Sequence, residues 1–159
     1  MLNTWLTDIV RSTNERIFSE SDLTRIMAYY ATVPARLRLC EELERLEPTL
    51  VKPLHAELLK RYPGRSLYSR RLVQDLVESL RYVNRAVLAD DVKLLRRRWV
   101  DHLVEATDAT GTDPQEIRDA YVVLRELLER QLPRSAWEVL EPAYVDMLDA
   151  LTRGPAIRA

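Results

Sequence analysis

The sequence predicts an all-α domain, and three observations carry that prediction. Apolar residues recur at three- and four-residue steps along nearly the whole chain, and no stretch alternates with the period of two that a half-buried strand shows. Three glycines stand against eight prolines, too few for the many turns of a sandwich or barrel. At 159 residues and 18.6 kDa the chain has the size of one domain with a substantial core, so a single domain over residues 1–159 is expected.

The elements follow in order. Trp5, Leu6, Ile9 and Val10 make a short first helix behind Asn3 or Thr4 as cap. Ser19-Glu-Ser-Asp22 reads as a capped helix start, continued by Leu23, Ile26, Met27 and Tyr30. Pro34 either kinks this helix or opens the next at its first position. Leu37, Leu39, Leu43 and Leu46 carry the apolar face to Pro48, and Pro53 opens a further helix that stops at Tyr62-Pro63-Gly64. Leu72, Leu76, Leu80 and Val83, flanked by Val73, Val77 and Val87, form the widest apolar stripe, on a helix near 67–89. Asp90-Asp91 ends it and caps the next helix, where Leu95, Trp99 and Leu103 repeat every four residues until Gly111. Asp113-Pro114 is a cap followed by proline at the first helical position, ahead of Ile117, Tyr121, Leu124, Leu127 and Leu128. Pro133 breaks that helix. Ser135 is expected to cap the last one, which carries Trp137, Leu140, Tyr144, Met147 and Leu151 and is bent by Pro142. The tail from Arg153 is expected to fray. Seven or eight helices of this kind suit bundles, globins and regulatory all-α domains alike.

Composition narrows the function classes. Apolar residues make up 47% and charged residues 31%, a folded rather than disordered balance. No apolar run approaches the ~20 residues of a membrane span. The Met1–Asp8 start has no basic region and meets an acid early, so a signal peptide is not expected. One cysteine, Cys40, excludes an internal disulfide and fits a reducing compartment. The net charge of −1 hides an uneven distribution: −2 over residues 1–59, +7 over 60–100 and −6 over 101–159. A pI near 6.2 argues against general nucleic-acid binding, while the basic middle leaves room for a local anion site.

No catalytic constellation emerges, and no enzyme activity is expected. His55-Ala-Glu57 lacks the cysteine pair that a zinc deaminase needs, and the glycines are isolated, so neither a metal site nor a phosphate loop is expected. Cys40, on a leucine-rich helix, reads as a small core residue. Lys93-Leu-Leu-Arg-Arg-Arg98 reads as a solvated helix face, or more sharply as a docking patch for an acidic partner. Trp5 sits on a helix with little domain of its own to pack into, as an interface aromatic would.

Over residues 75–111, Asp75, Leu80-Arg81-Tyr82-Val83, Ala86-Val-Leu-Ala89, Asp91, Leu95, Arg98, Leu103, Glu105, Ala109 and Gly111 fall in order and spacing on a known pattern. Arg16-Ile-Phe-Ser-Glu-Ser-Asp-Leu23 upstream, and Glu141, Tyr144, Asp146, Ala150 and Leu151 near the end, extend it over almost the whole chain. The sequence in these respects resembles a phycobiliprotein, the light-harvesting subunit of the cyanobacterial phycobilisome. The resemblance implies a globin-like fold of six or so core helices plus an N-terminal helical pair that joins one subunit to another. It implies an open-chain tetrapyrrole bound by thioether to the cysteine of Cys-x-Arg-Asp. Here that stretch is Leu72-Val73-Gln74-Asp75, and the family tyrosine after Arg81-Tyr82 is Arg85. A thioether needs a thiolate, which leucine cannot supply, so no covalent pigment is expected at this stretch.

Arg71 and Asp75 match positions that meet a bilin's propionate and pyrrole N–H groups, so they are the candidates for a non-covalent bilin site. The first expectation, however, is no cofactor. Trp5, Leu6, Ile9, Val10 and Arg81 are the candidate interface residues, Arg81 matching an arginine that pairs with an aspartate of the second subunit. The function these features imply is a non-pigmented, phycobiliprotein-like interaction module in assembly, regulation or turnover of the phycobilisome or photosystems. The expected partner is a second copy or a phycobiliprotein-like subunit, with antenna or photosystem components beyond it. The expected location is the cytoplasm or the thylakoid periphery. The alternatives are a non-covalent tetrapyrrole sensor or carrier and a cofactor-free globin-like signalling domain.

Overall fold

A computed structural model of the chain describes residues 4–13, 18–64, 70–110 and 113–152. Helix α1 is Thr4–Thr13, α2 Glu20–Arg61, α3 Arg70–Ala89, α4 Val92–Leu95, α5 Asp101–Thr110, α6 Pro114–Gln131 and α7 Arg134–Thr152. A π-helical turn, Arg96–Val100, joins α4 to α5 without a break. The described residues hold no strand, and the all-α, phycobiliprotein-like globin architecture is the one expected.

Local chemistry sets most boundaries where the sequence places them. Ser19 and Asp22 form a reciprocal capping box, the Ser19 hydroxyl accepting from the Asp22 amide at 3.2 Å and the Asp22 carboxylate from the Ser19 amide at 3.0 Å. Asp113 accepts from the Gln115 amide at 2.9 Å ahead of Pro114. Asp91 accepts from the Leu94 amide at the start of α4. Before it, Asp90 turns the chain in the left-handed region, with φ of 52°, a conformation that aspartate tolerates better than most residues. The stop at Gly111 and the tail from Arg153 lie outside the described residues.

Three details differ from the sequence reading. First, α2 is one helix of 42 residues that runs through Pro34, Pro48 and Pro53. Each proline deprives the carbonyl four residues earlier of its donor. Those carbonyls belong to Tyr30, Glu44 and Thr49, all exposed residues, so water can satisfy them and the helix continues. Leu39, Leu43, Leu50, Leu54 and Leu58 hold the helix down by packing into the core. Second, the π-helical turn adds a residue to one turn, so the buried positions step from Leu95 to Val100 to Val104 rather than through Trp99 and Leu103. Third, Ser135 lies inside α7. The carbonyl of Pro133 accepts from the Ala136 and Trp137 amides at 2.9 and 3.0 Å and starts the helix.

Helix α3 is central, packed on α2, α6 and α7, and α6 pairs with α7. A polar chain crosses this core. The Trp99 indole donates to the Ser79 hydroxyl at 2.7 Å, Ser79 Oγ donates to the Asp75 carbonyl at 2.8 Å, and the Tyr121 hydroxyl bonds to the same Oγ. The Tyr144 hydroxyl donates to the Tyr121 carbonyl at 2.9 Å. Burial holds both phenols well above their ordinary pKa, so they stay neutral donors.

Candidate interaction surface

Helix α1 is docked by its first residue. The buried Asp91 carboxylate accepts from the Thr4 amide at 3.0 Å and from the Thr4 hydroxyl, which joins the start of α1 to the corner between α3 and α4. Burial raises the Asp91 pKa. The Thr4 and Leu94 hydrogen bonds and the charge of Arg97 outweigh that and leave it below the ordinary aspartate value. Trp5 meets Tyr29 edge-on with ring centroids 5.5 Å apart, and the Arg25 guanidinium lies 4.7 Å over the indole. Ile9 is buried, Leu6 half-buried and Val10 exposed. Of the four apolar candidates on α1, then, Trp5 and Ile9 are engaged by their own chain and Val10 faces out.

The larger apolar surface lies on α2. Leu23, Met27, Tyr30 and Leu37 follow helical spacing on one face of its N-terminal half, and all are exposed, Met27 to 72% and Tyr30 to 66%. The sequence reading put Leu23, Met27 and Tyr30 on one helix and Leu37 on the run after Pro34, but not that no other described element covers this face. Phe18, just ahead of the capping box, is exposed as well.

Arg81 is held within its own chain. Its guanidinium meets Glu47 of α2 and Glu78 one turn away, which raises its own pKa and lowers that of Glu47. Arg36 escaped the sequence reading. It is 3% exposed, stacks 4.2 Å from the Tyr29 ring, and donates to the carbonyls of Tyr29, Val87 and Leu88. The last two lie at the C-terminal end of α3, where a cation is favoured. The signal was present in the sequence, an arginine at an apolar-phase position before Leu39 and Leu43.

The stretch that the resemblance marks for pigment departs from the family pattern in its residue chemistry. Leu72 is buried in the core and carries no thiol. Gln74 and Asp75 are exposed, and the side chain of Arg71 lies outside the described residues. One to two turns further along α3, Trp99 stacks on Tyr82 with centroids 4.5 Å apart and an interplanar angle of 13°. Cys40 donates to the Asn84 side-chain oxygen at 3.0 Å, and burial raises its thiol pKa. That makes it a poor nucleophile. These residues do not fit a thioether-linked bilin.

No individually curated protein matches the chain. A family model described as phycobilisome protein matches residues 12–151, which takes in α2 to α7 and leaves most of α1 outside. That match spans the capping box, the central helix and the closing helix, and with the all-α architecture it shows that the chain belongs to the phycobilisome protein family.

Proposed function

We propose that this chain is a pigment-free member of the family that works as a protein-pairing module in assembly, regulation or turnover of the phycobilisome or photosystems, at the thylakoid periphery. The observation that carries the reading is the uncovered stripe of Leu23, Met27, Tyr30 and Leu37 on α2. A contiguous apolar helix face suits a partner helix of the same kind. The partner is therefore a second subunit of this fold, either a copy of the chain or a phycobiliprotein-like relative. Family membership supports a protein partner, and the leucine at position 72 supports the absence of covalent pigment. No helix among the described residues is long and apolar enough to cross a membrane, in keeping with a peripheral role.

Sedimentation velocity over a concentration series, alone and with isolated phycobiliprotein subunits, tests this. Burying side chains of this size contributes about 1.5–3 kcal/mol each before the costs of association. Met27→Glu is therefore expected to weaken pairing by about one to two decades. A chain that stays monomeric and forms no mixed complex, or a Met27→Glu variant that pairs unchanged, refutes the proposal. A biliverdin titration that saturates at micromolar concentration and is lost in Asp75→Ala would move the function to a non-covalent tetrapyrrole carrier.

A further inference from the structure

We propose that the groove bounded by α2, the C-terminal half of α3 and the α4–π junction binds a small amphipathic anion, an apolar or aromatic body bearing a carboxylate or sulfonate. The groove has a volume of about 710 Å³. That lies within the roughly 300–1,000 Å³ of small-molecule pockets. Tyr29 and Tyr82 wall it, Leu88 and Leu94 supply apolar surface, and Arg85 and Arg98 reach it from α3 and the π-helical turn. Flat aromatic and aliphatic surface with two convergent cations is the lining such a ligand requires.

Charge singles out an anion. Among the described residues no carboxylate lines this groove, whereas Glu41, Glu44 and Glu47 line its neighbour on the other side of Arg85 and Leu88. The Arg85 guanidinium lies 5.5 Å from the Tyr82 ring centroid, so it sits over aromatic surface rather than in an ion pair. Behind the Tyr29 wall the buried Arg36 adds a third positive charge, held by carbonyls and the ring. The π-helical turn sets the local phase that carries Arg98 to the rim, and such turns recur at functional sites. The groove is separate from the Leu72–Asp75 stretch, since Asp75 and Arg85 are ten residues apart on α3, about 15 Å along its axis.

The test is a fluorescence titration of the full chain with 1-anilinonaphthalene-8-sulfonate, followed by displacement with laurate. Saturable one-to-one binding is expected, with displacement by laurate but not by dodecylamine. Arg85→Ala and Arg98→Ala should each weaken binding about tenfold or more, and raised salt should weaken it further. Arg118→Ala, an exposed arginine on α6, should leave it unchanged. Both groove arginines are exposed, so an unchanged melting temperature will show that the fold is intact. Affinity unaffected by Arg98→Ala, equal displacement by dodecylamine, or displacement by an acidic peptide but not by laurate would overturn the proposal, the last in favour of a peptide-binding surface.

Discussion

Replacing Asp91 tests how α1 is held. Its carboxylate does two jobs from one buried position: one oxygen caps α4 at the Leu94 amide, and the other takes both Thr4 donors. Loss of an N-cap costs about 1 kcal/mol. Hydrogen bonds to a charged group contribute about 1.5–3 kcal/mol. Asp91→Ala is therefore expected to cost about 2.5–4 kcal/mol. Asp91→Asn keeps one acceptor oxygen but loses the charge and puts an NH2 donor where the other oxygen stood, so it should cost about 1.5–3 kcal/mol. Helix α1 has 10 residues. That is below the ~12–15 at which an isolated helix becomes even marginal, so it should lose hydrogen-exchange protection in Asp91→Ala. The pH dependence has a definite sign. Because the folded carboxyl titrates below the ordinary aspartate value, its contribution is full above about pH 4–5. It is lost as pH falls through the depressed folded value. Urea unfolding from pH 7 to pH 3 should thus show the gap between wild type and Asp91→Asn narrowing only below about pH 4. An Asp91→Ala cost under about 1 kcal/mol, or α1 amides that stay protected, would refute this account of the docking.

Other outcomes follow from the same structure. Pro48 is exposed inside a continuous helix. Pro48→Ala restores a helical donor and should stabilise by about 1–2 kcal/mol, after the gain in unfolded-state freedom is subtracted. A calorimetric rise of about 2–8 °C is expected, and a fall would mean that the bend is needed for packing. Ser79→Ala leaves both the Trp99 N–H and the Tyr121 hydroxyl without their shared acceptor, whereas Tyr121→Phe removes only one member. The first should cost about 2–4 kcal/mol and the second about 1 kcal/mol in urea unfolding, and the reverse order would contradict the hydrogen-bond assignment. Cys40, its thiol pKa raised by burial, should be alkylated by iodoacetamide several-fold more slowly at pH 8 than in the unfolded chain. Equal rates would show a thiolate that the structure does not hold.

The sequence by itself determined the all-α class, the capping box at Ser19–Asp22, the caps at Asp91 and Asp113, and the buried stripe of α3. Each depends on side chains within one or two turns of the backbone they serve, so a linear reading contains all the partners. The same spacing made family membership legible. Other features rest on partners far away in the chain. Whether α2 survives three prolines depends on which faces meet water and on how firmly Leu39 to Leu58 are held by α3, α6 and α7. The π-helical turn lets Val100 and Val104 reach the core while Trp99 swings over Tyr82. Arg36 is buried because the carbonyls that receive it lie about fifty residues further on. The apolar periodicity of α2 marked Leu23, Met27 and Tyr30 as sharing a face, but not that no described element covers this face. Periodicity reports which residues point the same way, whereas burial is decided by which other helix arrives to cover them, and only tertiary packing settles that.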